Sequence, residues 1–336
     1  MKQRLLLLYF QRCFVISLVF GCFFISPSYS QESINVKTDT SHYQQITAAG
    51  HTLYPYNKKR IHQVTAANII GYGSVMIGFN SAWYSQYPRS KFHFFNDNAE
   101  WLQVDKAGHI YGAYIESFAS YEMWRWSGLP RKQRIWAGGL SGVAYQSIIE
   151  ILDGFSSEYG FSWGDFSANI LGSGLFTAQE FAWDDQRIKM KFSFHKKDYG
   201  AADLNARANV IFGKSETERF LKDYNASTDW VSINIKSFFP KTKLPGWFAI
   251  AFGYGAEGMF GARSNIAKDK NGNIIFDRSD IKRYRQWFLA PDVDLTKIKT
   301  KKKAVKIILG VLNSFKFPAP SIEFSNGSFK GHWIYF

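Results

Sequence analysis

Three short polar signatures hold the residues that could do chemistry in this chain: Asp105-Lys106-Ala107-Gly108-His109, Glu150-Ile151-Leu152-Asp153 and Asp165-Phe166-Ser167-Ala168-Asn169. Carboxylates and imidazole together suit a divalent cation such as magnesium, manganese, zinc or iron, with Asp105, His109, Glu150, Asp153 and Asp165 as its ligands. The same set also suits acid–base hydrolysis. In that version His109 and Glu150 act as general base or metal ligand, while Lys106 and Asn169 bind and orient a substrate. The spacing fits no defined metal motif. The chain has no Walker loop, no Gly-x-Ser-x-Gly elbow and no His-Glu-x-x-His, so these residues mark a site without naming a reaction.

Each residue also has an ordinary explanation. Asp105 reads as a helix cap, and Ser162 with Asp165 approaches a capping box. Glu150 and Asp153 are harder to dismiss, because they fall in the last turn of a helix. There the dipole disfavours anions and the pair repels at i,i+3, each effect costing about a few tenths of a kcal/mol. A compensating group is therefore expected from His109, Lys106, the start of the next helix or a bound cation.

The elements that must position these side chains are helices. Asp105, His109, Gly112 and Glu116 share one face of a helix over 105–126; Gly139, Gly142, Gln146, Glu150 and Asp153 form a stripe over 134–153; Asp165, Asn169, Gly172 and Phe176 make a third. Short connections imply antiparallel neighbours, which brings the start of the first helix, the end of the second and the start of the third together. Glycines on those faces permit close approach. Upstream, residues 66–88 carry no charge and predict a buried core helix, since their glycines, asparagines and serines dilute the hydrophobicity below that of a membrane span.

After residue 186 the period becomes alternating. Residues 187–195 alternate basic or small with apolar, Val231, Ile233 and Ile235 share a face, and Phe248, Ile250, Phe252 and Tyr254 oppose Ala249, Ala251, Gly253 and Gly255. Asn326-Gly327 signals a hairpin, Asn271-Gly272 a second turn, and residues 301–313 a short basic amphipathic helix. Asp269 to Asn273 departs from a calcium loop and reads as a turn. Glu257, in Gly253-Tyr254-Gly255-Ala256-Glu257-Gly258, is a candidate second functional acid beside its plainer reading as a turn residue. The expected fold is α+β, an amino-terminal helical bundle packed on a carboxy-terminal antiparallel sheet. A small outer-membrane barrel with helices is the alternative, prompted by the terminal Trp333-Ile334-Tyr335-Phe336 and opposed by Lys330 and His332.

Composition places this chain outside the cytoplasm. Lys2, Arg4 and Arg12 precede an apolar run that ends at Ser28-Tyr29-Ser30, so residues 1–30 read as a signal peptide and the mature chain starts at Gln31. Residues 31–60 read as an extended leader, 61–186 as the bundle and 187–336 as the β region. Both cysteines, Cys13 and Cys22, lie in the signal, which removes disulfides and thiolate chemistry from the mature protein. The formal net charge of +14 includes three signal cations and no signal acid, leaving +11. Such a surface attracts anionic lipid or envelope polymers, and export excludes nucleic acid as a partner. The 18% aromatic content fits an interface that is apolar at one end and wet at the other.

The chain resembles the YfiM-like family of uncharacterised bacterial envelope proteins, predicted periplasmic lipoproteins, in the long form associated with Bacteroidetes-type bacteria. The matching segments are Asn96-Asp97 through His109, Glu150-Ile151-Leu152-Asp153-Gly154, Phe161-Ser162-Trp163-Gly164-Asp165 with Asn169 and Gly172, Gly253 through Met259, and Arg283-Tyr284-Arg285-Gln286. The resemblance implies a periplasmic or outer-membrane location in a Gram-negative bacterium and no established activity. The residues before Cys22 depart from a lipobox, which separates this chain from the lipoprotein description. The helical half is also distantly similar to the VanZ-like pattern of an Asp-Lys-x-x-His helix followed by an acidic helix and an Asp-x-x-x-Asn helix. The combined expectation is a structural or binding component near the outer membrane, or alternatively a hydrolase acting on an envelope lipid or phosphorylated envelope molecule.

Overall fold

The computed structural model describes residues 54–82, 89–157 and 159–336. The expected signal peptide, the leader as far as residue 53 and the end of the 66–88 segment lie outside the described residues.

The fold is α+β. Helices α1 (Lys58–Ala82), α2 (Val104–Trp126), α3 (Arg131–Gly154) and α4 (Trp163–Trp183) precede the first strand. The connections between α2, α3 and α4 are short, so α3 runs antiparallel to both neighbours. Small residues set their spacing: a Cβ on Gly142 would land on Ser117 Oγ, Ala113 O and Ser173 Oγ, and one on Gly172 would land on the carbonyl of Ile110. Hydroxyls close the seam, with Ser117 donating to Ser173 at 3.0 Å and Gln146 donating to Glu116 at 2.7 Å.

Where side chains are described, up to residue 74, the expectation of a buried core helix over 66–88 is not met. Lys58 to Arg60, assigned from sequence to the leader, open α1, and its described side chains, residues 58–74, are mostly exposed or half-buried. Val64 is its buried apolar side chain among the described residues, whereas Ile69 and Ile70 are each 65% exposed. The helix leans on α3 through Tyr72, whose ring lies 3.9 Å from that of Tyr145.

Six strands form one antiparallel sheet in the order β1-β2-β3-β6-β7-β8: β1 (Ile188–Phe194), β2 (Ser227–Asn234), β3 (Phe248–Glu257), β6 (Tyr284–Val293), β7 (Ala319–Ser325) and β8 (Ser328–Tyr335). The small pair β4 (Ile266–Lys268) and β5 (Ile274–Asp277) stands apart. The sheet curls until the backbone just before β7 bridges β1 at Phe192–Phe315, but no continuous ladder closes it. The alternative of a small barrel is therefore not the structure: the described sheet is open. Asn326 and Gly327 take positive φ in the β7–β8 turn, as their sequence predicts.

The alternation after residue 186 is interrupted more often than expected. Helices α5 (Ala202–Phe212) and α6 (Glu216–Lys222) follow β1, and β2 stops at Asn234, whose side chain caps the single-turn α7 (Ile235–Phe238), so Ile235 leaves the strand. The basic amphipathic helix is present as α8 (Lys303–Leu312). Met190, Phe192 and Val231 of the sheet pack on Tyr111, Ile115 and Phe176 of the bundle, which fixes the two layers as one body.

Candidate functional site

A left-handed turn sets up the cluster. Trp101, Leu102 and Gln103 have φ of 48°, 50° and 66°, a conformation that costs each non-glycine residue roughly 1 kcal/mol or more. Burial of Trp101 against Phe212 and Tyr224, and the bond from its N–H to the carbonyl of Ala262, hold the turn in place. The chain then enters α2 with no side-chain cap, so Asp105 does not cap its helix. Ser162 does cap α4, its Oγ accepting from Asp165 N at 3.1 Å. A strap over residues 93–95 pairs with Gly154 and Phe161 and covers this end of the bundle.

Lys106 is the hub of the ion pairs. Its Nζ lies 2.8 Å from Asp97, 2.9 Å from Asp105 and 2.6 Å from Asp165. Burial alone would lower its pKa, but Asp105, Asp165 and Asp97 hold the ammonium above its ordinary range. Asp105 is pushed up to about 7, chiefly by burial, with Lys106 opposing the shift and Asp165 adding to it. Asp97 was not assigned to the site from sequence, because it precedes the helix and belongs to no periodic face. It is 1% exposed and accepts from Ser162 Oγ at 2.6 Å.

His109 stands at the centre of a second grouping. Its Nδ1 lies 3.0 Å from Asn169 Oδ1, and its Nε2 lies 3.3 Å from Asp165 Oδ1 and 3.9 Å from Glu150 Oε1. Burial lowers its pKa, more than Asp165 raises it. Glu150 also receives the backbone N–H of Ser162 at 3.4 Å, so the start of α4 does meet the last turn of α3. His109, Glu150 and Asp165 offer ligand atoms within 4.8 Å of one another, as do Asp97, Asp105 and Asp165. Six of the seven expected residues, Asp105, Lys106, His109, Glu150, Asp165 and Asn169, thus meet at one end of the bundle. Asp153 is buried in the last turn of α3 and belongs to neither grouping.

A second polar recess lies on the sheet. It encloses about 270 Å³ and is lined by His195, Glu257, Gln286, Glu323, His332 and Tyr335 among others. Glu323 accepts from His332 at 2.8 Å and from Gln286 at 3.0 Å, and Glu257 pairs with Lys197 and accepts from Tyr284 at 2.8 Å. Burial, helped by Lys197, lowers His195 to about 4. Sequence singled out Glu257 alone, because the lining comes from separate strands whose pairing no local pattern reveals.

Comparison with known proteins locates the bundle cluster within a family region. The model of DUF2279, described as a predicted periplasmic lipoprotein family, matches residues 93–179, the segment that carries Asp97 through Asn169. Its description agrees with an exported envelope protein. No curated protein and no solved structure matches the chain.

Proposed function

We propose that the protein is a binding or structural component of the envelope that sits on the outer membrane with the bare part of its sheet against lipid. One observation carries this reading. The face that packs Met190, Phe192 and Val231 on the helices continues uncovered through two cross-strand rows, Phe252–Leu289–Ile322 and Trp287–Phe324–Phe329. In these rows Phe252 is 52%, Trp287 53% and Phe329 75% exposed, and Trp333 on β8 is 90% exposed. The opposite face carries the buried charges, Lys191 with Asp292, Lys189 with Asp294 and His332 with Glu323, beside the buried Trp230, Ala251, Phe288 and Ala290. Water-facing sheets normally have the reverse arrangement.

Charge supports the same seat. In α8, Val305, Ile308 and Leu312 are 37%, 56% and 49% exposed, and Lys301, Lys302, Lys303 and Lys306 accompany them. A basic amphipathic helix of this kind settles at an anionic lipid surface. Among the described residues no helix is long and apolar enough to cross a membrane, which fits seating rather than spanning by helices. The finer YfiM-like likeness belongs to this proposal. The hydrolase reading is less favoured, because His109 and Glu150 are 4% and 1% exposed and a substrate would have to reach them.

Flotation with phosphatidylglycerol-containing vesicles tests the seat. The mature protein should float with them and less with purely zwitterionic vesicles, and replacing Phe324 and Trp333 by serine should leave it in the pellet while still folded. Wild-type protein that stays unbound to both vesicle types would end the proposal.

A further inference from the structure

We propose that two copies of this chain pair edge to edge through strand β8, antiparallel, about a two-fold axis at Gly331. The pairing rests on the membrane seat proposed above, which it extends from one sheet to two.

The open edge is the starting point. Strand β8 ends the sheet, and among the described residues no strand lies beyond it. The other edge is covered, since Phe192 of β1 donates to Ser314 and accepts from Lys316. Ser325 and Ser328 close the two-residue β7–β8 hairpin as a hydrogen-bonded pair, so the ladder to β7 falls on Ser328, Lys330 and His332. The N–H and C=O groups of Phe329, Gly331 and Trp333 therefore point out of the sheet. Soluble proteins blunt such an edge with charge or proline. Here the flanking side chains are Phe329 and Trp333, the two most exposed large apolar residues among those described.

The edge is complementary to itself. Centred on Gly331, antiparallel pairing sets that residue against its own counterpart and Phe329 against Trp333 of the second copy on both sides, and aromatic cross-strand pairs of this kind are favourable. On the opposite face Lys330 meets His332 of the second copy, and Glu323 already lies 3.8 Å from the one and 2.8 Å from the other within each chain. Gly331 itself points to a partner. It takes no positive φ, and nothing lies within 4 Å of a Cβ built on it, so the single chain gives no reason for a glycine in the middle of a strand. A second backbone brought against it, with aromatic rings closing over the axis, gives one.

Symmetry makes the pairing compatible with lipid. A two-fold axis normal to the sheet relates antiparallel edge strands, so the apolar faces of both copies look the same way. The rows Phe252–Leu289–Ile322 and Trp287–Phe324–Phe329 reach Gly331 and Phe329 on β8 and continue across the axis into the second copy. One membrane surface can then hold both. The ladder is short, which places the interface at the small end of protein–protein contacts and makes the dimer reversible.

Sedimentation equilibrium of the mature protein, with vesicle flotation of the same samples, tests this. The expected result is a monomer–dimer equilibrium that is about tenfold weaker in Gly331→Pro, which loses an N–H directed away from β7 and so keeps its hairpin and its flotation. The chain beyond the signal peptide has no cysteine, so Gly331→Cys, oxidised on phosphatidylglycerol vesicles, should give a disulfide-linked dimer. Ser328→Cys should not, because in this register its two copies lie about 20 Å apart. Wild-type protein that floats but stays monomeric, with no cross-link through residue 331, would overturn the dimer and leave the seat standing. A dimer that Gly331→Pro does not weaken would overturn the β8 edge as its interface. Dimerisation through residue 331 in a protein that does not float would support the pairing and remove the seat.

Discussion

Two buried charge networks, one at the end of the bundle and one beneath the sheet, use the same residue types in opposite proportion. Under the sheet Lys191 and Lys316, with side chains fully buried, share Asp292 at 2.8 and 3.5 Å, and Lys189 meets Asp294 at 2.6 Å. Spare ammonium hydrogens reach carbonyls, from Lys191 to Val293 at 2.8 Å and from Lys316 to Pro291 at 2.9 Å. At the bundle end the described ion pairs converge on the single ammonium of Lys106, which serves Asp97, Asp105 and Asp165 together. The sheet network ties strands of distant sequence to each other. The bundle, by contrast, is held mainly by glycine-lined contact and hydroxyl bonds, and its acids share one buried ammonium.

Removing one acid from each network should therefore give unlike results. Asp292→Asn leaves two buried ammonium groups without their carboxylate, and a loss of about 3–5 kcal/mol is expected in urea denaturation. Asp105→Asn takes a negative charge from an anion-rich cluster and should stay within about 1 kcal/mol of wild type. Similar losses in both variants would break the contrast and return the bundle cluster to an ordinary structural role.

The bundle was legible in sequence because a 4-3-4 polar and glycine spacing admits one packing face per helix. Gly142 and Gly172 behave as that pattern predicts. The α+β division was likewise visible in the change of period near residue 186. What stayed hidden has physical reasons. Asp97 is carried into the site by three left-handed residues, Trp101 to Gln103, whose conformation is imposed by tertiary burial and not by their own preference. Helix α6 did leave a signal that was passed over, the Ser215 to Glu218 capping box, formed in the structure from both sides. The polar inner face of the sheet could not be read, because Lys189 and Lys191 look like solvent-facing residues until Asp292 and Asp294, about a hundred positions away, are placed opposite them.

A weaker test sharpens the idea that acids in the bundle are held against their ionisation. Glu180 is 1% exposed and receives Gln186 Nε2 at 2.8 Å; burial raises it to about 7, more than that bond lowers it. With the folded pKa above the unfolded value near 4.3, the folded chain keeps a proton that the unfolded chain has released between about pH 4.3 and 7. Its contribution to stability is present below that window and is lost as pH rises through 7. Glu180→Gln should abolish this part of the slope, giving a variant that gains on the order of 2–3 kcal/mol relative to wild type between pH 5 and pH 8. Parallel stability curves for the two proteins would show that the acid ionises freely.

The smallest expected effect separates the packed faces of the bundle from its outer ones. Gly142 and Gly174 are both glycines inside helices, yet a Cβ at Gly142 would collide with three atoms of α2 and α4, while nothing lies within 4 Å of one at Gly174. Glycine in a helix interior costs about 0.5–1 kcal/mol relative to alanine through backbone entropy, and that cost is recovered wherever the added methyl meets open space. Gly174→Ala should accordingly stabilise the protein by about that amount in urea, with no change at the cluster, whose α4 members Asn169 and Asp165 lie about 7.5 and 13.5 Å back along the helix. If cohesion in the bundle does come from close glycine contact on one face alone, the gain must appear, because the outer face makes no demand for a small residue. A loss at Gly174 would mean that this face is also covered in solution, and the bundle would then have a second packed surface for which the His109 cluster gives no account.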